Sequence, residues 1–278
     1  MKSLFEDYKK FERIAKNYVP NSTELDTSSE YFLAPTTLIP LFCFANEQKS
    51  IKKLIAHNND YYYLDMILKG EASNTNTSYT ILPNTKEKRL EDETAKVMAG
   101  QINTDIYGGH WTIFHICNEL INNVYDHTPF EEGFANQGYT YAQEYPNKMK
   151  LDICVMDDGL SIPGCFERNG VDFIDDCDAI YKATQQVSTS KQGPGLNNDR
   201  GNGLWSTLKL VVEENGGSAL IVSRNGCLNI ESKGKFKYHH LDNNNIFKGT
   251  LISLRLKNNQ VQNYHDVIEL TEYYDYTY

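Results

Sequence analysis

The chain has 278 residues, of which 40% are apolar and 23% charged, an ordinary globular composition with enough length for one large domain or two small ones. Its net charge of −10 and pI near 5.2 argue against a general affinity for nucleic acid or for an anionic membrane surface. The longest apolar stretch, residues 31–45, is broken by Pro35, Thr36, Thr37 and Pro40 and is too short to span a bilayer. The first residues, MKSLFEDYKKFERIAKNY, are mixed in charge and contain no apolar signal core.

In chain order, the apolar stretch and a helix expected over residues 48–57 make a small α/β module of residues 1–80. Within it, LDTSSEYFLAPTTLIPLF (residues 25–42) resembles the strand–turn–helix opening of STAS-like switch domains. The segment EASNTNTSYTILPNTKEK, residues 71–88, is polar and rich in Asn, Thr and Ser, and reads as a linker to a larger domain over residues 89–258. There, residues 89–101 have helical composition and residues 110–127 form a second helix. Residues 151–156 alternate as a strand, and residues 204–214 form a helix closed by Gly216-Gly217. Residues 218–223 and 227–231 flank Arg224-Asn225-Gly226 as a hairpin, and residues 251–256 make a last strand. Residues 259–278 are an acidic, tyrosine-rich tail.

The six cysteines (Cys43, Cys117, Cys154, Cys165, Cys177 and Cys227) are scattered and never form C-x-x-C. Neither structural zinc nor a disulfide framework is expected, and a reduced, cytoplasmic protein is.

Three segments carry chemistry. In HICNELINNVYDH, residues 115–127, His115, Glu119, Asn123 and His127 recur every four residues and share one stripe of a helix. Ile113, Cys117, Leu120 and Val124 form a separate apolar face suited to packing on a sheet. Glu119 can then serve as a general base, and Asn123 can offer a neutral oxygen to magnesium. A solvated polar stripe would show the same spacing, but adjacent Asn122 and Asn123 are poor interior helix formers that call for a reason.

In KLDICVMDDGLSIPG, residues 150–164, a strand ends on Asp157-Asp158-Gly159. A carboxylate at the mouth of a buried strand needs a partner, such as the exocyclic amine of a purine, and Gly159 lets the backbone approach a flat base. A common Asp-Gly turn has the same sequence. The third segment is DRGNGLWSTLKLVVEENGG, residues 199–217, where Gly201-Asn202-Gly203 opens into an amphipathic helix. Amides at a helix start bind phosphate. The G-x-G-x-x-G spacing and preceding apolar strand of a Rossmann loop are missing, and no G-x-x-x-x-G-K-[ST] occurs.

The order of these segments resembles the GHKL superfamily of ATP-binding proteins, which includes histidine kinases, gyrase, MutL and anti-sigma-factor kinases. The resemblance covers roughly residues 89–257. Residues 119–123 resemble its N box, which implies Glu119 as base and Asn123 as magnesium ligand. Residues 157–162 resemble its first glycine box, which implies Asp157 on the adenine amine with Gly159 and Ile162 around the base. Gly201, Gly203 and Leu204 resemble the second, on the phosphates, and Gly249-Thr250 the third, with Thr250 near adenine. Residues 182–200 then form a lid, with Lys191 and Arg200 available to the phosphates. Ser161 departs from the pattern, standing where the family usually has a second glycine, and residues 128–147 are longer than in typical sensor kinases.

The implied fold is α/β, more narrowly an α+β two-layer sandwich: a mixed, mainly antiparallel sheet with helices on one face, preceded by the small module. The implied ligands are ATP and Mg, with a protein partner or protein substrate and with a homodimer left open. Two activities fit: phosphoryl transfer to a protein Ser or Thr in a regulatory switch, and ATP hydrolysis that drives a conformational change. A non-catalytic ATP-sensing module is the weaker alternative, because it has no need of Glu119. A histidine kinase is disfavoured, since His57 lacks the context of a phosphoacceptor and His110 and His115 abut the N box. Gyrase- or MutL-like clamps are disfavoured by the short stretch that follows the last strand.

Overall fold

The structure is a computed structural model that describes residues 3–30, 32–56, 82–85, 91–102, 104–127, 137–185, 203–232, 234–242 and 248–258. Its centre is a seven-stranded sheet in the order β3-β4-β5-β9-β6-β7-β8, with β3 at Leu82–Thr85, β4 at Gln137–Tyr145, β5 at Lys150–Asp157, β6 at Ser218–Ser223, β7 at Gly226–Glu231, β8 at Lys235–His240 and β9 at Thr250–Lys257. Every neighbouring pair is antiparallel. A parallel pair stands apart from it, β1 at Glu24–Asp26 and β2 at Lys53–Ile55. The α+β expectation holds.

Strands β5, β6 and β9 are buried along nearly their whole length, so both faces of the sheet must be covered. On the first face Leu151, Ile153, Val155, Ile221, Ile252 and Leu254 pack under helices α3 (Glu91–Gln101) and α4 (His110–His127). Helix α7 (Gly203–Leu208) joins them, and the chain continues through a π-helical stretch, Lys209–Glu214. The turn after it is held by Asn215, fully buried, whose side chain donates to the Lys257 carbonyl at 2.9 Å and accepts the Lys257 N–H at 2.7 Å. Asn215 thereby continues the ladder of β9 by one rung. Two further helices, α5 (Ser161–Arg168) and α6 (Asp176–Ala183), follow β5.

The second face is covered by residues expected to form a separate module. Helix α1 (Leu4–Lys16) starts with a capping box in which the Glu6 N–H donates to Ser3 Oγ and the Ser3 N–H to the Glu6 carboxylate. Its Leu4, Tyr8, Phe11 and Ile14 share one core with Tyr139, Tyr141, Met156, Leu220, Val222 and Leu251 of the sheet. Helix α2 (Pro35–Glu47) lies in the same layer.

The sequence placed this helix at residues 48–57, but the helix is the apolar run itself. Pro35 takes a first-turn position where its missing N–H costs nothing. Residues 35–45 are buried on every side, so no amphipathic period marks them. The stretch expected as helix instead holds β2.

Between α1 and the sheet lies a buried charge cluster. Arg255 donates to Asp152 through Nε at 2.7 Å and Nη2 at 2.8 Å, and through Nη2 to Asp7 at 3.2 Å. Lys10 lies 3.0 Å from Asp7, and Lys150 lies 3.1 Å from Asp152. Thr36 Oγ1 of α2 meets Ser253 Oγ of β9 at 2.6 Å, far apart in sequence. Such a cluster fixes how α1 seats on β5 and β9 rather than adding much net stability.

Among the described residues, no helix is long and apolar enough to cross a membrane. Strand β3 falls inside the stretch expected as a linker, and β4 inside the stretch that is longer than in typical sensor kinases.

Candidate functional site

Helix α4 buries Ile113, Ile116, Cys117, Leu120, Ile121 and Val124 against the sheet, which leaves Glu119 and Asn123 half-buried on its edge. The neighbour at that edge is the start of α7. A Cβ added to Gly203 would overlap the Glu119 carboxylate and come 3.0 Å from its Cδ. Glycine at 203 therefore allows its backbone to touch the Glu119 carboxylate where α4 and α7 meet. Leu204, the next residue, is buried in the same core.

His115 tightens this contact. Its Nε2 is 3.0 Å from Ser206 Oγ, and Ser206 donates to the Gly203 carbonyl at 3.0 Å. With that hydroxyl hydrogen committed, Nε2 carries the imidazole proton. Nδ1 then faces Glu119 Oε1 at 4.0 Å, beyond hydrogen-bond range. Burial pulls the His115 pKa down to about 4, so the ring is neutral near pH 7.

A second cluster forms at the end of β5. Strand alternation places Asp157 on the face of Val155 and Ile153, beneath α4. Asp157 is 7% exposed, and its Oδ1 accepts the Gly159 N–H at 2.8 Å. Across the ladder Asp157 pairs with Thr250, and Thr250 pairs with Ser223. Gly249, at φ +82°, presses on this turn so closely that a Cβ would lie 2.8 Å from both the Asp157 carbonyl carbon and the Gly159 nitrogen. The segments at 157–159 and 249–250, far apart in sequence, thus meet backbone to backbone. Ser161 has φ +73°, the left-handed conformation that glycine adopts without cost. The backbone there has a glycine's shape although the residue is serine, and Ser161 Oγ accepts the Gly164 N–H at 3.2 Å.

The chain matches no family model, and no curated protein matches it at a significant level. The site is therefore judged on its own geometry.

That geometry brings together Glu119 with Gly203, Asp157 with Thr250 and Gly159 with Gly249, while Ile162 is partly buried against the core beneath α4. Lys191, Arg200 and Gly201 lie outside the described residues, as do residues 186–200 of the expected lid. Lys182, taken as the start of the lid, belongs to α6, where its ammonium is 3.1 Å from Asp178 and donates to the Asp172 carbonyl.

Among the described residues no group of three or more His, Cys, Asp or Glu could hold a metal. A magnesium ion carried in on phosphates needs few protein ligands, and the neutral oxygen of half-buried Asn123 suits that role. Ser206, Ser223 and the ion pair of Arg224 with Glu167, at 2.7 and 2.6 Å, were not picked out from the sequence. Single serines at a helix turn and a strand end carry no pattern to find them by.

Proposed function

We propose that the chain binds ATP with magnesium in a GHKL-type pocket and uses it for phosphoryl transfer to a protein Ser or Thr, or for hydrolysis, in a regulatory switch. What supports this is the pair of glycine contacts. Gly203 closes on Glu119 and Gly249 closes on the Asp157 turn, so the residue expected as base lies against one expected on the phosphates, and the turn expected on the purine lies against the strand end that carries Thr250.

In this pocket Asp157 accepts the purine amine, with Thr250 beside it. Glu119 takes the proton of the attacking water or hydroxyl. The amides at the start of α7 and the positive end of that helix turn face the phosphates. Magnesium, held in part by Asn123, would supply charge neutralisation on the transferred phosphoryl group. The free, buried cysteines suit a cytoplasmic location.

Calorimetry with Mg-ATP and Mg-ADP tests the pocket; absence of measurable affinity ends the proposal. Glu119→Ala is expected to keep binding and to lose turnover, and equal turnover in the two proteins removes Glu119 as base. A nucleotide-gated ATPase is the second reading. It is favoured by the packing of one strand, β5, between the site face and the amino-terminal helices. Labelled ATP in cell lysate separates the two: label on a protein Ser or Thr supports transfer, and free phosphate alone supports the ATPase.

A further inference from the structure

Ser223 ends β6 and is fully buried, at 0% exposure, so it cannot touch a ligand. Its hydroxyl nevertheless joins three parts of the candidate site. It accepts the Ile162 N–H at 2.9 Å, lies 3.2 Å from the Gly249 carbonyl as donor, and sits 3.0 Å from Thr250 Oγ1. A hydroxyl has one hydrogen and two lone pairs. With the Ile162 N–H on one lone pair, two arrangements remain. In one, Ser223 donates to Gly249 and receives the Thr250 hydroxyl, so Thr250 shows the pocket a lone pair. In the other, Ser223 donates to Thr250, so Thr250 shows the pocket a hydrogen. Either way the Thr250 side chain is held in one orientation beside its cross-strand partner Asp157.

We propose that Ser223 is a positioning residue for the purine: it holds the Thr250 hydroxyl against the base edge beside Asp157 and ties the Ile162 backbone to the same point. This rests on the ATP-binding function above. By fixing Thr250 beside Asp157, Ser223 contributes to choosing among purines without contacting them. The purely architectural role is a plug that stabilises the junction of α5, β6 and β9. It would affect folding and bind all nucleotides equally less well.

The test is a double-mutant cycle on the full chain with Ser223→Ala, Thr250→Val and both. Affinities for Mg-ATP and for the magnesium salt of purine riboside triphosphate, which lacks the 6-amino group, are measured by calorimetry, with the melting temperature as a control. Ser223→Ala is expected to weaken ATP by about tenfold, to weaken the analogue less, and to have no further effect once Thr250 is valine. Equal loss for both nucleotides, adding fully to Thr250→Val, overturns the proposal in favour of a plug. So does wild-type affinity in Ser223→Ala. If the alanine variant unfolds, Ser223→Cys fills the same space with a far weaker hydrogen-bonding group, and wild-type affinity and discrimination there overturn the role equally. A wild-type chain that binds no ATP refutes the pocket itself, and the role of Ser223 with it, a result distinct from wild-type binding that Ser223→Ala leaves unchanged.

Discussion

Gly203→Ala separates the base from the fold. The added methyl meets the Glu119 carboxylate, the far end of a flexible side chain, and its three nearest neighbours are all atoms of Glu119. Restoring van der Waals separation moves the nearer carboxylate oxygen by about 1.5 Å. Leaving a favoured rotamer costs Glu119 roughly 0.5–1.5 kcal/mol, while alanine in a helix is better than glycine by about 1 kcal/mol. The two nearly cancel, so urea denaturation should show a stability within about 1 kcal/mol of wild type. ATP affinity should change by less than about threefold, since in the proposed mechanism Glu119 acts on the attacking group and not on the ground-state nucleotide. Turnover should fall by roughly a hundredfold, the penalty of misplacing a catalytic group by that distance. Steady-state phosphate release, with Glu119→Ala as the floor, measures it. A Gly203→Ala protein that turns over ATP at the wild-type rate would falsify the link between this glycine and the base.

Ser161→Gly should stabilise the protein by about 0.5 kcal/mol, because relief of the left-handed backbone exceeds the loss of the bond to Gly164; a lowered melting temperature contradicts this. Arg255→Met leaves Asp152 and Asp7 buried without their guanidinium and should cost about 3 kcal/mol in denaturant, with nucleotide affinity unchanged; a loss under about 1 kcal/mol shows the cluster to be solvated. For His115 the folded pKa of about 4 lies below the unfolded value near 6.5. The unfolded chain therefore binds the extra proton first, and the native state loses stability as pH falls from about 6.5 towards 4, by up to about 3 kcal/mol. In His115→Gln this part of the acid loss should vanish, and an unchanged pH profile contradicts it.

The helix at residues 110–127 and the strand at its partner face were legible because their apolar periods are clean: Ile113, Cys117, Leu120 and Val124 in one, Leu151, Ile153 and Val155 in the other. The hairpin at residues 218–231 was legible from its Arg-Asn-Gly turn, which the structure places between β6 and β7 with Arg224 at φ +50°. Helix α2 was hidden because total burial erases amphipathicity. Strand β4 was hidden because its partners, β3 and β5, are recruited from either side of it in sequence, and its Tyr139 and Tyr141 face a core supplied by the amino-terminal helices. Glu119 and Asp157 were legible as residues; what each touches was not. The approach of Gly203 depends on the spacing of two helices, and the row Asp157–Thr250–Ser223 depends on the register of three strands. Neither is written in local spacing.

The shared core of Tyr8, Phe11, Met156, Leu220, Val222 and Leu251 has a consequence for how the chain melts. Were residues 89–258 cut free, Tyr139, Tyr141, Met156, Leu220, Val222 and Leu251 would lose the apolar cover that the amino-terminal helices give them. Because the two share this core, the sheet and the helices behind it are expected to melt in one transition, which a single calorimetric peak would show. A change in composition along the chain marks where polar residues are spent, whereas the folding unit is drawn by which side chains have nowhere else to go.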